Sequence, residues 1–504
     1  MSVPPHNIPK LSKSRFGAGL QCLKRLYLEC YSRELMDPVD EAQQALFDTG
    51  TNVGELARER FPSGLLISEQ YYEHGLAGES TQKAISNMHV PAIYEAAFTF
   101  EDIRVRVDVL RRNDDDTFDI IEVKSSTSVK SDHVPDVAVQ LHVVEGAGVV
   151  IKNVFLLHID NKYVYEGGPY ELTKLFRMED ITEKARRYLS SISHLLTDMW
   201  KTLEQDEAPE IEIGSHCTKP YTCAFYSHCR QDAPEHDIEQ LPRASAKLLE
   251  KLRTADIHDI REIPDGFDSL TDNQQRVRDS VVSGEPHLGS ELSEALNQAT
   301  FPLNFLDFET FNPALPAYPG TRPYQIIPFQ WSLHILDTAG NLSHMEFLHD
   351  GNGDPREMVA TSLLDAVGTE GSIVAYSSYE RTTIQHLAEE FPQYAERLLA
   401  LCDRIFDLLK VIRESYYHPE FHGSYSVKSV LPVLVPNLSY ADLAIQGGSI
   451  ASIAYARMID SDTSTSEKAY TKDALLAYCQ RDTEAMVRIF GVLKAESGGQ
   501  SGVA

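Results

Sequence analysis

Residues 103–126, IRVRVDVLRRNDDDTFDIIEVKSS, constrain the chain more than any other stretch. Two segments with a period of two flank the acidic turn NDDDT, which is the signature of a β-hairpin. Successive strand side chains point to opposite faces, so Val105, Val107 and Val109 are expected on one face and Arg106 and Asp108 on the other. By the same rule Ile121 and Val123 turn to a core while Glu122 and Lys124 point together elsewhere. Pairing the strands sets Asp108 beside Glu122. Two adjacent carboxylates raise each other's pKa unless a cation joins them. A divalent ion there lowers the pKa of a water and stabilises charge on a phosphate, while Lys124 steadies the water or the transition state. This is phosphodiester hydrolysis chemistry. An exposed hairpin with an incidental ion pair is the competing reading of Glu122-x-Lys124 taken alone, because such short motifs recur by chance.

Residues 14–60 are helical, with Leu20, Leu23, Leu26, Tyr27 and later Leu56, Ala57 and Phe61 at helix spacing. A helix through HVPDVAVQLHVVEGA follows the hairpin, with Asp132 as cap and Pro135 in its first turn, then the strand NVFLLHI and a helical region from about 172 to 204. Short helices fill residues 236–290. Beyond them PLNFLDFETF, IIPFQWSLHILD and LSHMEFLHD are strands, GSIVAYSSYERTTIQHLAEEF is strand then helix, and TKDALLAYCQRDTEAMVRIFGVLK is a final amphipathic helix. The class is α/β. A chain of 504 residues exceeds one core. The expected division is 1–235, a helical connector at 236–292, a second domain at 293–495 and a disordered tail at 496–504.

A second acidic pattern lies in the later domain. FLDFET puts Asp307 and Glu309 on one strand face, and YCQRD puts Tyr478 and Asp482 four apart on one side of a helix. Of seven cysteines, Cys217, Cys223 and Cys229 are separated by five residues each, and Cys22 lies near the other end of the first domain. Four thiolates hold a [4Fe–4S] cluster or a zinc ion, and the tight C-x2-C pairs of zinc ribbons are missing. Cys30, Cys402 and Cys479 are expected to be core residues.

The 46 basic against 75 acidic residues give a formal charge of −29, which argues against a broad basic face for gripping phosphates. Clustered carboxylates whose charge divalent ions offset locally remain compatible with it. No apolar run approaches the roughly 20 residues that span a bilayer, and MSVPPHNIPKLSKSRF lacks the apolar core of a signal peptide. A cytoplasmic protein without a membrane partner is expected.

Asp108, Glu122 and Lys124, set among helix, hairpin, helix and strand, resemble the PD-(D/E)XK nuclease fold, a restriction-endonuclease-like core. Gln140 falls where the RecB-like branch carries a glutamine. That branch often has a histidine in its first helical region; GTNVGELARERF has Gly50 and Gly54 but no histidine, and Glu55 is the acid that would stand in. Cys22 before the core, with Cys217, Cys223 and Cys229 after it, resembles the iron–sulfur branch, which includes the AddB-type helicase-nucleases and the nuclease that trims CRISPR spacers. The resemblance implies a [4Fe–4S] cluster, with zinc as the alternative, that staples the ends of the domain and takes no part in catalysis.

Asp307-x-Glu309 and Tyr478-x3-Asp482 resemble the DEDD exonucleases of ribonuclease H-like fold, tyrosine subtype. There the acids bind two metals and the tyrosine orients the attacking water. Glu380 replaces the aspartate of the middle motif, Asp407 is the other acid in reach, and Ser426 and Lys428 are expected near substrate. The whole resembles an uncharacterised bacterial family with this fusion. It implies a Mg2+- or Mn2+-dependent nuclease with two sites, acting on DNA in preference to RNA in repair or defence, with a helicase or defence-system partner. The alternatives are an RNA-processing exonuclease and a nucleic-acid-binding scaffold with one or both sites inactive.

Overall fold

The computed structural model describes residues 8–351 and 353–498. The last helix runs through Glu496, and residues 499–504 of the expected tail lie outside the described residues. The chain forms two compact units of mixed α/β structure. One holds the residues up to Asp232 together with Pro313–Gln325; the other holds Ala233–Asn312 and the chain from Ile326. The stretch expected as a separate connector thus clusters with the second unit.

In the first unit, β1 (Leu11–Ser12), β2 (Leu65–Leu66), β3 (Ala92–Phe100), β4 (Ile103–Arg112), β5 (Phe118–Lys124), β6 (Ile151–Ile159) and β7 (Phe176–Asp180) form one sheet. Its order is β2-β3-β4-β5-β6-β7, with β1 beside β4. Strands β3, β4 and β5 make an antiparallel meander, and β6 returns parallel to β5. The helices that matter are α1 (Lys13–Gln21), α2 (Leu23–Tyr31), α3 (Glu41–Arg58), α4 (His74–Ser86), α5 (His133–Gly146) and Thr182–Leu203. Helix α5 is apolar almost all round because it lies between the sheet and Thr182–Leu203.

Both sheet faces are covered. Ile103, Val105, Val107, Leu110 and Ile120 join the larger core with α5, whereas Val109 and Ile121 join a second core with Val53 and Ala57 of α3. The expectation that Val105, Val107 and Val109 share a face therefore fails. Alternation changes sense at Asp108, where Glu95 of β3, lying between the pairs Tyr94–Val109 and Ala96–Val107, has a φ of 56°. Val109–Ile121 and Leu110–Ile120 remain paired across β4 and β5, so Asp108 keeps the place beside Glu122 that the pairing of the two strands implies.

In the second unit, β8 (His287–Leu288) pairs with the later β14 (Tyr416–Tyr417). The main sheet is built from β9 (Leu303–Phe311), β10 (Ile327–Leu336), β11 (Leu342–Leu348), β12 (Ile373–Ala375) and β13 (Ile405–Asp407), in the order β11-β10-β9-β12-β13. The first three strands are antiparallel; β12 and β13 run parallel to β9. Leu306 and Phe308 point into a core with Trp331, Leu333 and helices Arg356–Ala366, Tyr379–Glu390 and Ala395–Cys402. Cys402 is a core residue there, and Cys30 packs half-buried against the first unit's core, as expected of both. The alternate β9 residues, Phe305, Asp307 and Glu309, face the other way. Phe305 meets Phe490 of the long helix Thr465–Glu496 at 5.9 Å between ring centroids. Ser464 caps that helix by accepting a hydrogen bond from the Glu467 backbone N–H at 3.3 Å.

Candidate functional site

The first unit gathers Asp108, Glu122, Lys124 and Gln140. Lys124 Nζ donates to Glu122 Oε1 at 2.8 Å and to Asp136 Oδ2 at 2.6 Å, and Gln140 Nε2 donates to Glu122 Oε2 at 2.8 Å. Asp136 and Gln140 are one helical turn apart on α5, so both face the sheet. Asp108 Oδ2 accepts the Val123 backbone N–H at 2.7 Å. Two participants escaped the sequence reading. Lys13, in the first turn of α1, donates to Glu122 Oε1 at 2.8 Å and lies 4.0 Å from Asp136; Asp136 is the third acid. Glu55, the acid suggested for this cluster, is exposed on α3.

Burial is the largest influence on these groups. It pushes Asp108 up to about 7, with the neighbouring Glu122 adding to the shift. Burial would raise Glu122 as well, but the ammonium groups of Lys124 and Lys13 outweigh it and hold Glu122 below the usual carboxylate range. Glu122 is only 1% exposed, so it is an ion held by two ions. The Gln140 Oε1 atom is buried without a hydrogen-bond partner among the described residues.

The four predicted cysteines line one cavity, with Arg25 and His216 at its wall. Cys22 closes α1, its N–H bonding Ala18 O at 2.9 Å. Gln21 Nε2 donates to the carbonyls of His216 and Tyr221 at 2.7 and 2.8 Å, which ties α1 to the cysteine loop. Cys223 N bonds Cys217 O at 2.8 Å, and the Phe225 N–H donates to Cys223 Sγ at 3.5 Å. Burial pushes the Cys223 and Cys229 thiols up. Among the described residues, the only three or more His, Cys, Asp or Glu whose ligand atoms lie within 4.8 Å of one another are Asp307, Glu309 and Cys479. No three of the four loop thiols are gathered that closely. A tetrahedral zinc with Zn–S near 2.3 Å would hold sulfurs about 3.8 Å apart, whereas a cluster of four irons seats its cysteines more widely.

The second unit brings together Asp307, Glu309, Glu380, Tyr478 and Asp482. Asp307 is pushed well above its ordinary range by burial first, then by Asp482, Glu309 and Glu380, so all four carboxylates share one field. Burial and Asp482 act in the same direction on Glu309. Burial lifts Glu380 to about 7 against a backbone hydrogen bond, with Asp407 adding to the rise, and lifts Asp482 to about 6 against the hydroxyls of Tyr440 and Tyr478. Tyr440 donates to Asp482 Oδ1 at 2.5 Å. Lys428, whose Nζ donates to Gln446 O at 2.6 Å, also sits about 6 Å from the ring centroids of Tyr440 (5.9 Å) and Tyr478 (6.0 Å). Ser426 caps its own helix and is exposed. Glu380 is 4% exposed, and its Oε2 has no hydrogen-bond partner among the described residues. Three buried acids and the half-buried Asp307, facing one lysine, form a site that only protons or cations can neutralise.

A buried polar zipper aligns this site. Asp307 and Glu309 of β9 pair in register with Ser332 and Gln330 of β10. Gln330 Nε2 donates to Leu475 O at 2.9 Å, Ser332 Oγ meets Thr483 Oγ1 at 2.8 Å, and His334 Nδ1 meets Thr483 Oγ1 at 2.8 Å. These bonds grip the long helix on both sides of Tyr478–Asp482 and set its rotation. Cys479, expected to be an ordinary core residue, instead lies against the acids, its Sγ 3.5 Å from Asp307 Oδ2. The apolar-looking pattern of β10 and the i, i+3 relation of Cys479 to Asp482 were the available signals for both.

Residues 304–426 match a family described as a domain of unknown function, DUF2779. The chain is 24% identical over 209 residues to the uncharacterized protein UU173 of Ureaplasma parvum, covering 37% of this chain and 30% of that protein. It is 25% identical over 207 residues to the uncharacterized protein MG366 homolog of Mycoplasma pneumoniae, covering 37% of this chain and 31% of that one. The chain thus spans less than a third of the length of these curated relatives. The crystal structure of SSO0001 aligns with 40% of this chain and 78% of its own, at 17% identity and a TM-score of 0.21.

Proposed function

We propose that the chain is a divalent-metal-dependent nuclease with two phosphodiester-hydrolysing centres, one in a RecB-like PD-(D/E)XK unit and one in a DEDD, ribonuclease H-like unit. The observation that carries this reading is the convergence of Asp307, Glu309, Glu380 and Asp482, far apart in sequence, on one buried cluster with Tyr478 beside it. The succession of helix, three-strand meander, helix and parallel strand around Asp108 supports the first unit's part. Three antiparallel strands followed by two parallel ones support the second's.

In the second unit Asp307, Glu309, Glu380 and Asp482 would hold Mg2+ or Mn2+, which supplies charge stabilisation at a phosphate and an activated water. Tyr478 would orient a water beside these acids, and exposed Lys428 would meet the substrate backbone. In the first unit Asp108 and Glu122 would hold the cation, with Gln140 fixing Glu122 and Lys124 placed to donate to a developing negative charge. Cys22, Cys217, Cys223 and Cys229 would hold a [4Fe–4S] cluster that fastens α1 to the C-terminal loop. The substrate is nucleic acid, with DNA favoured over RNA, in repair or defence.

A specific observation favours a second reading for the first unit. Glu122 is already paired with two lysines, so that unit would act as a binding platform with a weak or silent metal site. End-labelled single-stranded DNA and RNA, incubated with the wild type, Asp108→Ala and Asp307→Ala in Mg2+ and in Mn2+, separate the two. Loss of a distinct cleavage activity in each variant is expected from two centres. Activity lost in Asp307→Ala alone supports the platform reading, and equal cleavage by all three proteins overturns both.

A further inference from the structure

The cluster in the second unit contains one group that the acid-only reading leaves unused. Cys479 is fully buried on the long helix between Tyr478 and Asp482. Its sulfur reaches Asp307 Oδ2 at 3.5 Å and Asp307 O at 3.8 Å, and its ligand atom and those of Asp307 and Glu309 all lie within 4.8 Å of one another. That is the spread of donors around a single ion. A second, independent observation points the same way: Glu380, in the same carboxylate field, keeps a buried Oε2 with no hydrogen-bond partner among the described residues. A buried carboxylate oxygen without a donor asks for a cation.

Resting on the proposed metal site, the geometry points to Cys479 as a metal ligand beside Asp307 and Glu309, which makes one half of the site a mixed sulfur and oxygen seat. Its occupant is a first-row cation of the Mn2+ to Zn2+ series in preference to Mg2+. Mg2+ demands an octahedral shell of oxygens, whereas a thiolate favours softer ions. On binding, the thiol S–H bond breaks, the sulfur keeps the electron pair and shares it with the cation, and the proton leaves to solvent; no electron is transferred. The buried sulfur then contributes specificity for the ion, while the acids that also face Glu380 and Asp482 remain an all-oxygen seat for a second ion.

Cobalt(II) is the probe, added to the full-length, metal-stripped protein that retains its loop cysteines. The difference spectrum between wild type and Cys479→Ser should show a sulfur-to-cobalt charge-transfer band in the near ultraviolet. Asp307→Asn should lose the same band although it keeps every cysteine, and circular dichroism verifies that both variants fold. Cobalt bound at the acids, seen calorimetrically, with identical spectra for wild type and Cys479→Ser overturns this inference and leaves the proposed function standing. Unchanged cobalt affinity in Asp307→Asn and Glu309→Gln overturns the metal site itself. Competition gives the selectivity: Mn2+ should displace cobalt at a lower concentration than Mg2+ in the wild type, and Cys479→Ser should narrow that gap. An equal gap in both proteins also counts against the thiol.

Discussion

Asp108 shows how a single residue can carry a titration. Its folded carboxyl titrates near 7 because it is buried beside Glu122, while the unfolded chain titrates near 3.8. Between these values the folded state binds more protons than the unfolded state, so this residue's contribution to stability falls as pH rises through the window. Asp108→Asn carries no such proton. In EDTA, therefore, the variant should become progressively more stable than the wild type from pH 5 to pH 8, by about 1.4 kcal/mol per unit at most, as read by urea denaturation. A constant difference across that range would show that Asp108 titrates normally. Lys13 makes a second case. Replacing it with Met leaves the buried Glu122 with one cation instead of two and should cost roughly 3 kcal/mol. Adding Glu122→Gln to Lys13→Met should recover most of that loss, whereas additive losses would mean that the pair does not interact. Lys13 was illegible in the sequence, because no local period links it to a strand more than a hundred residues away. Asp307 and Glu309 were legible, because alternation on one strand is a local property.

At the scale of elements, two helices explain why the acids meet. Helix α1 begins with Lys13 at the Glu122 cluster and ends at Cys22 in the cysteine cavity, so one rigid nine-residue rod connects the two. The long helix is set by the polar row Gln330, Ser332 and His334 on β10, which the sequence presented as an apolar strand interrupted by polar residues. Ser332→Ala should destabilise the protein by about 1–3 kcal/mol, since it strips a partner from the fully buried Thr483 hydroxyl. Combined with Thr483→Val the losses should be less than additive by more than about 0.5 kcal/mol, which a double-mutant cycle in urea measures. The same pair should weaken Mn2+ binding at the second unit's acids and leave the absorbance of a cluster at the loop cysteines unchanged. Full additivity would mean that the helix takes its rotation from apolar packing alone. Strands, helices and their order were thus readable from periodicity. The face switch between Val107 and Val109 was not, because strict alternation along the strand gives no sign of it.

For the whole molecule, the most consequential feature is that the first unit is discontinuous in sequence. Residues 313–325 belong to it, although the eighty residues 233–312 separate them from Asp232. Ala314, Leu315 and Tyr324 pack with Tyr163, Phe176 and Ile121 in the smaller core. Tyr165 N bonds Thr321 O at 3.0 Å, Gly320 N bonds Tyr165 O at 2.7 Å, and Tyr170 OH donates to Pro316 O at 3.0 Å. Tyr324 OH donates to the carbonyl of Ser125, the residue after Lys124. Nothing in the composition of AYPGTRPY marked it as more than a loop, since its partners lie about 150 residues earlier. A boundary drawn at 235 therefore cuts the first unit short. A fragment ending at residue 232 should expose the tyrosine-rich surface that this segment covers, bind a hydrophobic dye and melt several degrees below the corresponding transition of the intact chain. Joining residues 313–325 to its C-terminus through a Gly/Ser linker long enough to reach should restore most of the loss, because the segment then pays only a loop-closure entropy that grows slowly with length. If the bare fragment melts with the intact chain, the segment is a passive passenger and the unit's stability resides wholly in residues before Asp232. Restoration by the segment, and its loss when Tyr324→Ala is introduced, would instead tie the order of the Lys124 strand end to residues 313–325.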